Sequence, residues 1–143
     1  MAVVTSITTT PFDPAHLALL QAEAPLAPAP SMVAVTLWDG AAPLCCFGIS
    51  SPWPGMGFAW CEERDPLIMR AHGRRVGLAL ARHWRQWVAA GTYRRIESRA
   101  PADHAAANAL LEWLGFDFVA LKPGYGREGQ TVCEYVYYPA REG

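Results

Sequence analysis

From Met32 the chain alternates apolar and polar positions with period two: Val33, Val35 and Leu37 point one way, Ala34, Thr36 and Trp38 the other. The run ends at Asp39-Gly40, a turn dipeptide. Leu44 to Ile49 reads as a second such strand. Ser51-Pro52-Trp53-Pro54-Gly55 is a further turn and Gly57 to Glu63 a third strand, so 32–63 predicts an antiparallel meander. Upstream, the β-branched stretch Val3 to Thr10 predicts an opening strand. Asp13 as N-cap and Pro14 at the first helical position then start a short helix over 14–22. The proline-rich segment 24–31 cannot continue that helix and reads as an extended linker.

Further on, Val76, Leu80, Trp84, Trp87 and Val88 recur at helical spacing, with Arg75, Arg82 and Arg85 on the other side. Asp65-Pro66 offers a cap, but Gly73 and Gly77 each cost about 1 kcal/mol in a helix interior relative to Ala. The regular helix is therefore expected over 75–90, closing at Gly91. Tyr93 to Ala100 follows as a strand. Asp103 is expected to cap a second long helix carrying Ala107, Leu110, Leu111 and Leu114 as far as Gly115. Phe116 to Leu121 and Thr131 to Tyr138 close the chain as two strands around a glycine-rich loop. The order β-α-β-β-β-α-β-α-β-β predicts an α/β (α+β) domain with a mixed, mostly antiparallel sheet flanked by helices on both faces.

Length and composition narrow the reading. A chain of 143 residues, 52% apolar, supports one core and one domain spanning 1–143. With 17% charged residues and a net charge of −1 it is neither a disordered tail nor a polycation. No run of about 18 apolar residues is present, and the first residues lack a basic segment ahead of an apolar one, so a soluble, cytoplasmic protein without membrane association is expected. Cys45, Cys46, Cys61 and Cys133 lack metal-ligand spacing, so no metal is expected; the adjacent pair is expected to face opposite sides of a strand. Charge is segregated: residues 64–99 hold nine Arg against Asp65 and Glu97, a local net of +7 against −8 elsewhere. Such a stretch suits a solvated helix face or a local anionic partner. Nucleic acid is disfavoured by the sequence pI of about 6.4 and the lack of interleaved stacking aromatics.

Arg74-Arg75-Val76-Gly77-Leu78-Ala79 has the form Arg-x-x-Gly-x-Ala at the junction of a strand and a long helix. A glycine there admits close approach of a pyrophosphate, and first-turn amides with the helix dipole favour an anion. In this position the motif resembles the acetyl-CoA loop of the GNAT N-acetyltransferase superfamily. Tyr93-Arg94-Arg95-Ile96-Glu97, Glu112-Trp113-Leu114-Gly115-Phe116 and Gly124-Tyr125-Gly126-Arg127-Glu128-Gly129 look similar to GNAT-like proteins of bacteriophages and prophages. The resemblance covers about residues 58–139.

It implies acetyl-CoA as co-substrate, bound by Arg74, Arg75, Val76, Gly77, Leu78 and Ala79, and transfer of the acyl group to an amine on a small molecule or peptide. Two positions depart from the family pattern. Its early-helix Asn is His104 here, and the Tyr that protonates the departing thiolate is Leu111. Tyr125 or Tyr93 stands as the substitute acid, and Glu62 or Glu63 as the base, strand alternation sending only one of that pair into the cleft. Glu97 reads as a cross-strand charge partner, His72 as a surface or phosphate-contacting group, and Trp53 as a contact for a partner or the linker. A second reading is a catalytically silent GNAT-fold structural or interaction protein, such as a phage virion component. Its partners would be virion proteins or further copies of the chain.

Overall fold

The structure is a computed structural model that describes residues 7–20, 31–63, 66–91 and 93–139. The expectations for 3–6, 21–22, 24–30 and Asp65 lie outside them. Its elements follow the expected order: β1 (Ile7–Pro11), α1 (Ala15–Leu19), β2 (Ser31–Asp39), β3 (Ala42–Ser51), β4 (Met56–Glu63), α2 (Pro66–Ala90), β5 (Arg95–Pro101), α3 (Ala105–Trp113), β6 (Asp117–Lys122) and β7 (Val132–Tyr137). The strands form one sheet in the order β1-β2-β3-β4-β5-β7-β6, and among the described residues only the β4–β5 pair is parallel.

Alternation along the strands decides what each face buries. One face carries Ile49, Ile96, Ala100, Cys133, Tyr135 and Tyr137, which pack against Trp84 of α2 and Leu111 of α3. The same face continues through Leu37, Leu44, Cys45 and Phe47 onto Val76 and Leu80. The opposite face packs Cys46 and Trp60 against Leu20, beyond the end of α1. Cys45 and Cys46 therefore divide between the faces as expected.

Three helix starts differ from the sequence reading. Helix α1 begins at Ala15, one residue later than expected, although Asp13 Oδ1 does accept the Ala15 N–H at 2.9 Å. Helix α2 is continuous for 25 residues from Pro66, so Gly73 and Gly77 do not break it. A cost of about 1 kcal/mol per glycine is small beside the burial of Val76, Leu80 and Trp84. The early part of α2 is also tethered: His72 Nε2 lies 3.3 Å from Asp39 Oδ2 at the β2–β3 turn, so His72 is a helical residue and not a loop one. Helix α3 is capped by His104, not Asp103, through Nδ1 accepting the Ala107 N–H at 3.1 Å. At the other end of α2, Gly91 is required by space, since a Cβ there would sit 2.5 Å from the Tyr93 ring. Gly115 ends the α3 segment with φ 101°, a conformation that other residues adopt at a cost.

Candidate active site

The parallel ladder between β4 and β5 has only three rungs, Met56↔Arg95, Gly57↔Ile96 and Phe58↔Glu97. Beyond them, residues 59–63 and 98–101 are not paired with each other, so a wedge opens toward the C-terminal ends of both strands. Two side chains span it. Ser98 Oγ donates to the Ala59 carbonyl at 3.0 Å, and His104 Nε2 lies 2.8 Å from Glu63 Oε1 at the mouth. Because Nδ1 of His104 already accepts the Ala107 N–H, the neutral ring with its hydrogen on Nε2 satisfies both contacts.

Glu62 and Glu63 flank this stretch from opposite faces. Glu63 shares the α2–α3 side and is held by His104. Glu62 sits on the α1 side, opposite Cys46, and no hydrogen bond or ion pair engages it among the described residues. Burial, and secondarily the charge of Glu63, push its carboxyl above the ordinary range. Glu62 is thus the carboxylate of the two suited to take a proton.

Residues 74–79 lie inside α2, about three turns from its start. The amides of Val76 to Ala79 are accordingly within the helical ladder and are not first-turn donors, which corrects the expectation built on a helix starting at 75. What the segment offers instead is charge and bare backbone. Arg74, Arg75 and Leu78 are exposed, whereas Val76 is buried. A Cβ on Gly77 would meet only Trp113, at 3.9 Å, so space lies open beside its backbone. Val76 belongs to the same buried cluster as Leu44 and Cys45, and Cys45 is the register partner of Glu63, while Gly77 faces Trp113 at the end of α3. These residues fit a phosphate group through guanidinium contacts and close backbone approach.

Tyr125 is separate from the two glutamates. Its exposed ring lies over the Arg99 guanidinium at 4.9 Å and Lys122 Nζ at 4.7 Å. Arg99 in turn lies 5.2 Å from the ring centre of Phe58, the last β4 residue in the ladder. A pocket of about 260 Å³ lies beside them, lined in part by Arg99, Tyr125 and Arg127. Tyr93 is packed against the core and is not in the wedge. Glu97 pairs with Arg95 along its own strand at 3.5 Å rather than across the sheet. Trp53 is exposed at the β3–β4 turn.

Leu111 is buried against Phe116 and offers no proton at its position. Two polar residues not singled out from sequence also belong here: Ser98, and Asn108, whose amide nitrogen donates to the Pro101 and His104 carbonyls while its oxygen accepts from Tyr135. Ser98 carried a signal, as the one polar residue among the inward positions 96, 98 and 100. Among the described residues no group of three or more metal-ligating side chains is present, and no helix is long and apolar enough to cross a membrane.

A seven-stranded, mostly antiparallel sheet flanked by helices matches the fold of solved GNAT acetyltransferases. Among solved structures it is shared with a GNAT-family acetyltransferase from Streptococcus pneumoniae (TM-score 0.71, 14% identity, 93% of this chain and 99% of that one). It is shared also with the ribosomal-protein-S18-alanine N-acetyltransferase from Escherichia coli (TM-score 0.69, 15% identity, 93% and 94%). A ribosomal L7/L12 alpha-N-protein acetyltransferase in complex with coenzyme A matches over less of each chain (TM-score 0.57, 13% identity, 75% and 62%). No protein-family model and no curated protein sequence matches the chain.

Proposed function

We propose that the chain is an acyl-CoA-dependent N-acyltransferase, most simply one that moves acetyl from acetyl-CoA to an amine on a small molecule or peptide. The observation that carries this reading is the β4–β5 wedge, together with the bare backbone of Gly77 beside the exposed Arg74 and Arg75 on α2. The solved structures that share the fold and act on protein amines support the same class of reaction. Bound there, acetyl-CoA supplies an activated thioester carbonyl. Arg74 and Arg75 hold its phosphates, while Gly77, flanked by Leu78 and Ala79, lets them approach the helix. Val76 acts only as the buried anchor of that segment. Glu62 accepts the proton of the acceptor amine, Glu63 being occupied by His104. With Leu111 in the acid position the thiolate leaves unassisted or with Tyr125 as donor, and one missing acid typically costs about 10²–10⁴ in rate. Slow turnover is the consequence.

The alternative, a silent GNAT-fold interaction protein such as a phage virion component, is favoured by the buried Leu111 and by the Glu63–His104 contact across the mouth. Calorimetric titration with acetyl-CoA and CoA, followed by an amine panel assayed for acetylation, separates the two. Binding with turnover that increases in Leu111→Tyr supports the enzyme. A tight CoA complex with no turnover in either form supports the silent fold, and no binding overturns the CoA site.

A further inference from the structure

The two edges of the sheet are unlike. At β1 the edge presents Thr8, Thr9, Thr10 and Pro11, a polar row closed by a residue that cannot donate. At β6 it presents Phe118, Val119 and Leu121, which are 53%, 47% and 58% exposed. That concentrates three exposed large apolar side chains on one six-residue strand with an open hydrogen-bonding side.

The sequence of β6, Asp-Phe-Val-Ala-Leu-Lys, is complementary to itself when two copies run antiparallel. A two-fold axis between Val119 and Ala120 sets Asp117 against Lys122 of the second copy, Phe118 against Leu121, and Val119 against Ala120. In a regular strand this pairing is forbidden, because Phe118 and Leu121 would point to opposite faces and cross-strand partners must share one. The β6–β7 register removes the obstacle. Phe118 pairs with Tyr135 and Leu121 with Cys133, two residues of the same β7 face, because a bulge at Val119 shifts the alternation by one. Asp117, Ala120 and Lys122 share the other face through Val136, Glu134 and Val132. The bulge thus brings Asp117 and Lys122 onto one common face and Phe118 and Leu121 onto the other. Lys122 already lies 3.1 Å from Glu134 Oε2, and Asp117 has no ion pair among the described residues. A copy's Asp117 would complete a carboxylate pair around that ammonium.

We infer that β6 is the interface for a second copy of this chain, joining two seven-stranded sheets edge to edge through an isologous antiparallel β6–β6 pair. The inference is independent of any catalytic reading. Sedimentation equilibrium or light scattering over a concentration series tests it, and the expected mass is twice the 15.6 kDa of one chain. Asp117→Lys and Lys122→Glu each place like charges at both ends of the pair, so each alone is expected to run as a monomer. An equimolar mixture of the two restores both opposite-charge contacts and is expected to form a heterodimer. Phe118→Lys, at an exposed position, is expected to be a folded monomer by circular dichroism and serves if Lys122→Glu proves unstable. A wild-type chain that stays monomeric, or a dimer that survives both Asp117→Lys and Phe118→Lys, overturns the inference.

Discussion

Glu62 has a carboxyl held above its ordinary range chiefly by burial, and this has two measurable effects of opposite sense. As a base it works only when ionised, so acetylation is expected to rise with pH through that elevated value. Glu62→Gln is expected to lower kcat by about 10²–10⁴ with less effect on KM for the thioester. For stability the sign is reversed. The folded state binds the proton more tightly than the unfolded chain, so this residue's contribution is complete below the unfolded value of about 4.3 and is lost as pH rises through the folded one. Glu62→Gln is therefore expected to melt higher than wild type near neutral pH and to match it near about pH 3, as thermal scans at both pH values would show. Trp84 has a simpler task. It is 7% exposed and stacks near Phe116 and Tyr137, with ring centres 5.1 and 5.2 Å away. Trp84→Ala is expected to cost about 3–5 kcal/mol in urea unfolding. That burial was legible in the helical spacing of Val76, Leu80 and Trp84. The separation of Glu62 from Glu63 was legible only as an alternative, because alternation says that neighbours part without saying which one meets His104.

Helix α2 shows where local propensity misleads. Two glycines in five positions argued for a late start, yet the helix runs through both, tied to the β2–β3 turn by His72 and Asp39 and seated on Leu44 and Cys45. Such contacts join distant parts of the chain and leave no trace in a local window. The helix also separates fold from site at one position. Nothing lies within 3.9 Å of a Cβ placed on Gly77, so Gly77→Ala is expected to raise stability by up to about 1 kcal/mol. Gly77→Glu should stay folded as well, but its bulk and charge are expected to abolish CoA binding. Chemical denaturation and calorimetry on the two variants check both halves of the expectation. Normal CoA affinity in a folded Gly77→Glu protein would remove the phosphate site. The α3 cap was misplaced by one residue for a related reason: Asp is the commoner cap, but His104 reaches both the Ala107 amide and Glu63.

Across the sheet as a whole, the element order and mixed topology followed from the strand and helix patterns, whereas the splay did not, since rung counts depend on the geometry of two strands far apart in sequence. β1 to β4 and β5 to β6 form two parts that share three rungs, Ser98 and the His104 contact. Ser98→Ala combined with His104→Ala is expected to lower stability by about 1–3 kcal/mol and to speed amide exchange selectively at 59–63. Uniform exchange along β4 would contradict the bridging role. The strand order has a further consequence for how the chain is made. Every strand from β1 to β5 lies beside its predecessor, so each finds its partner as soon as it emerges from the ribosome. The exception is β6, which is separated from β5 by the later strand β7. Until residue 132 is translated, β6 has no partner in the sheet and β5 has only its three rungs with β4. A message that stops short of β7 therefore leaves β6 unpaired and β5 held by three rungs alone, exposing Ile96 and Phe116 to the cell's proteases.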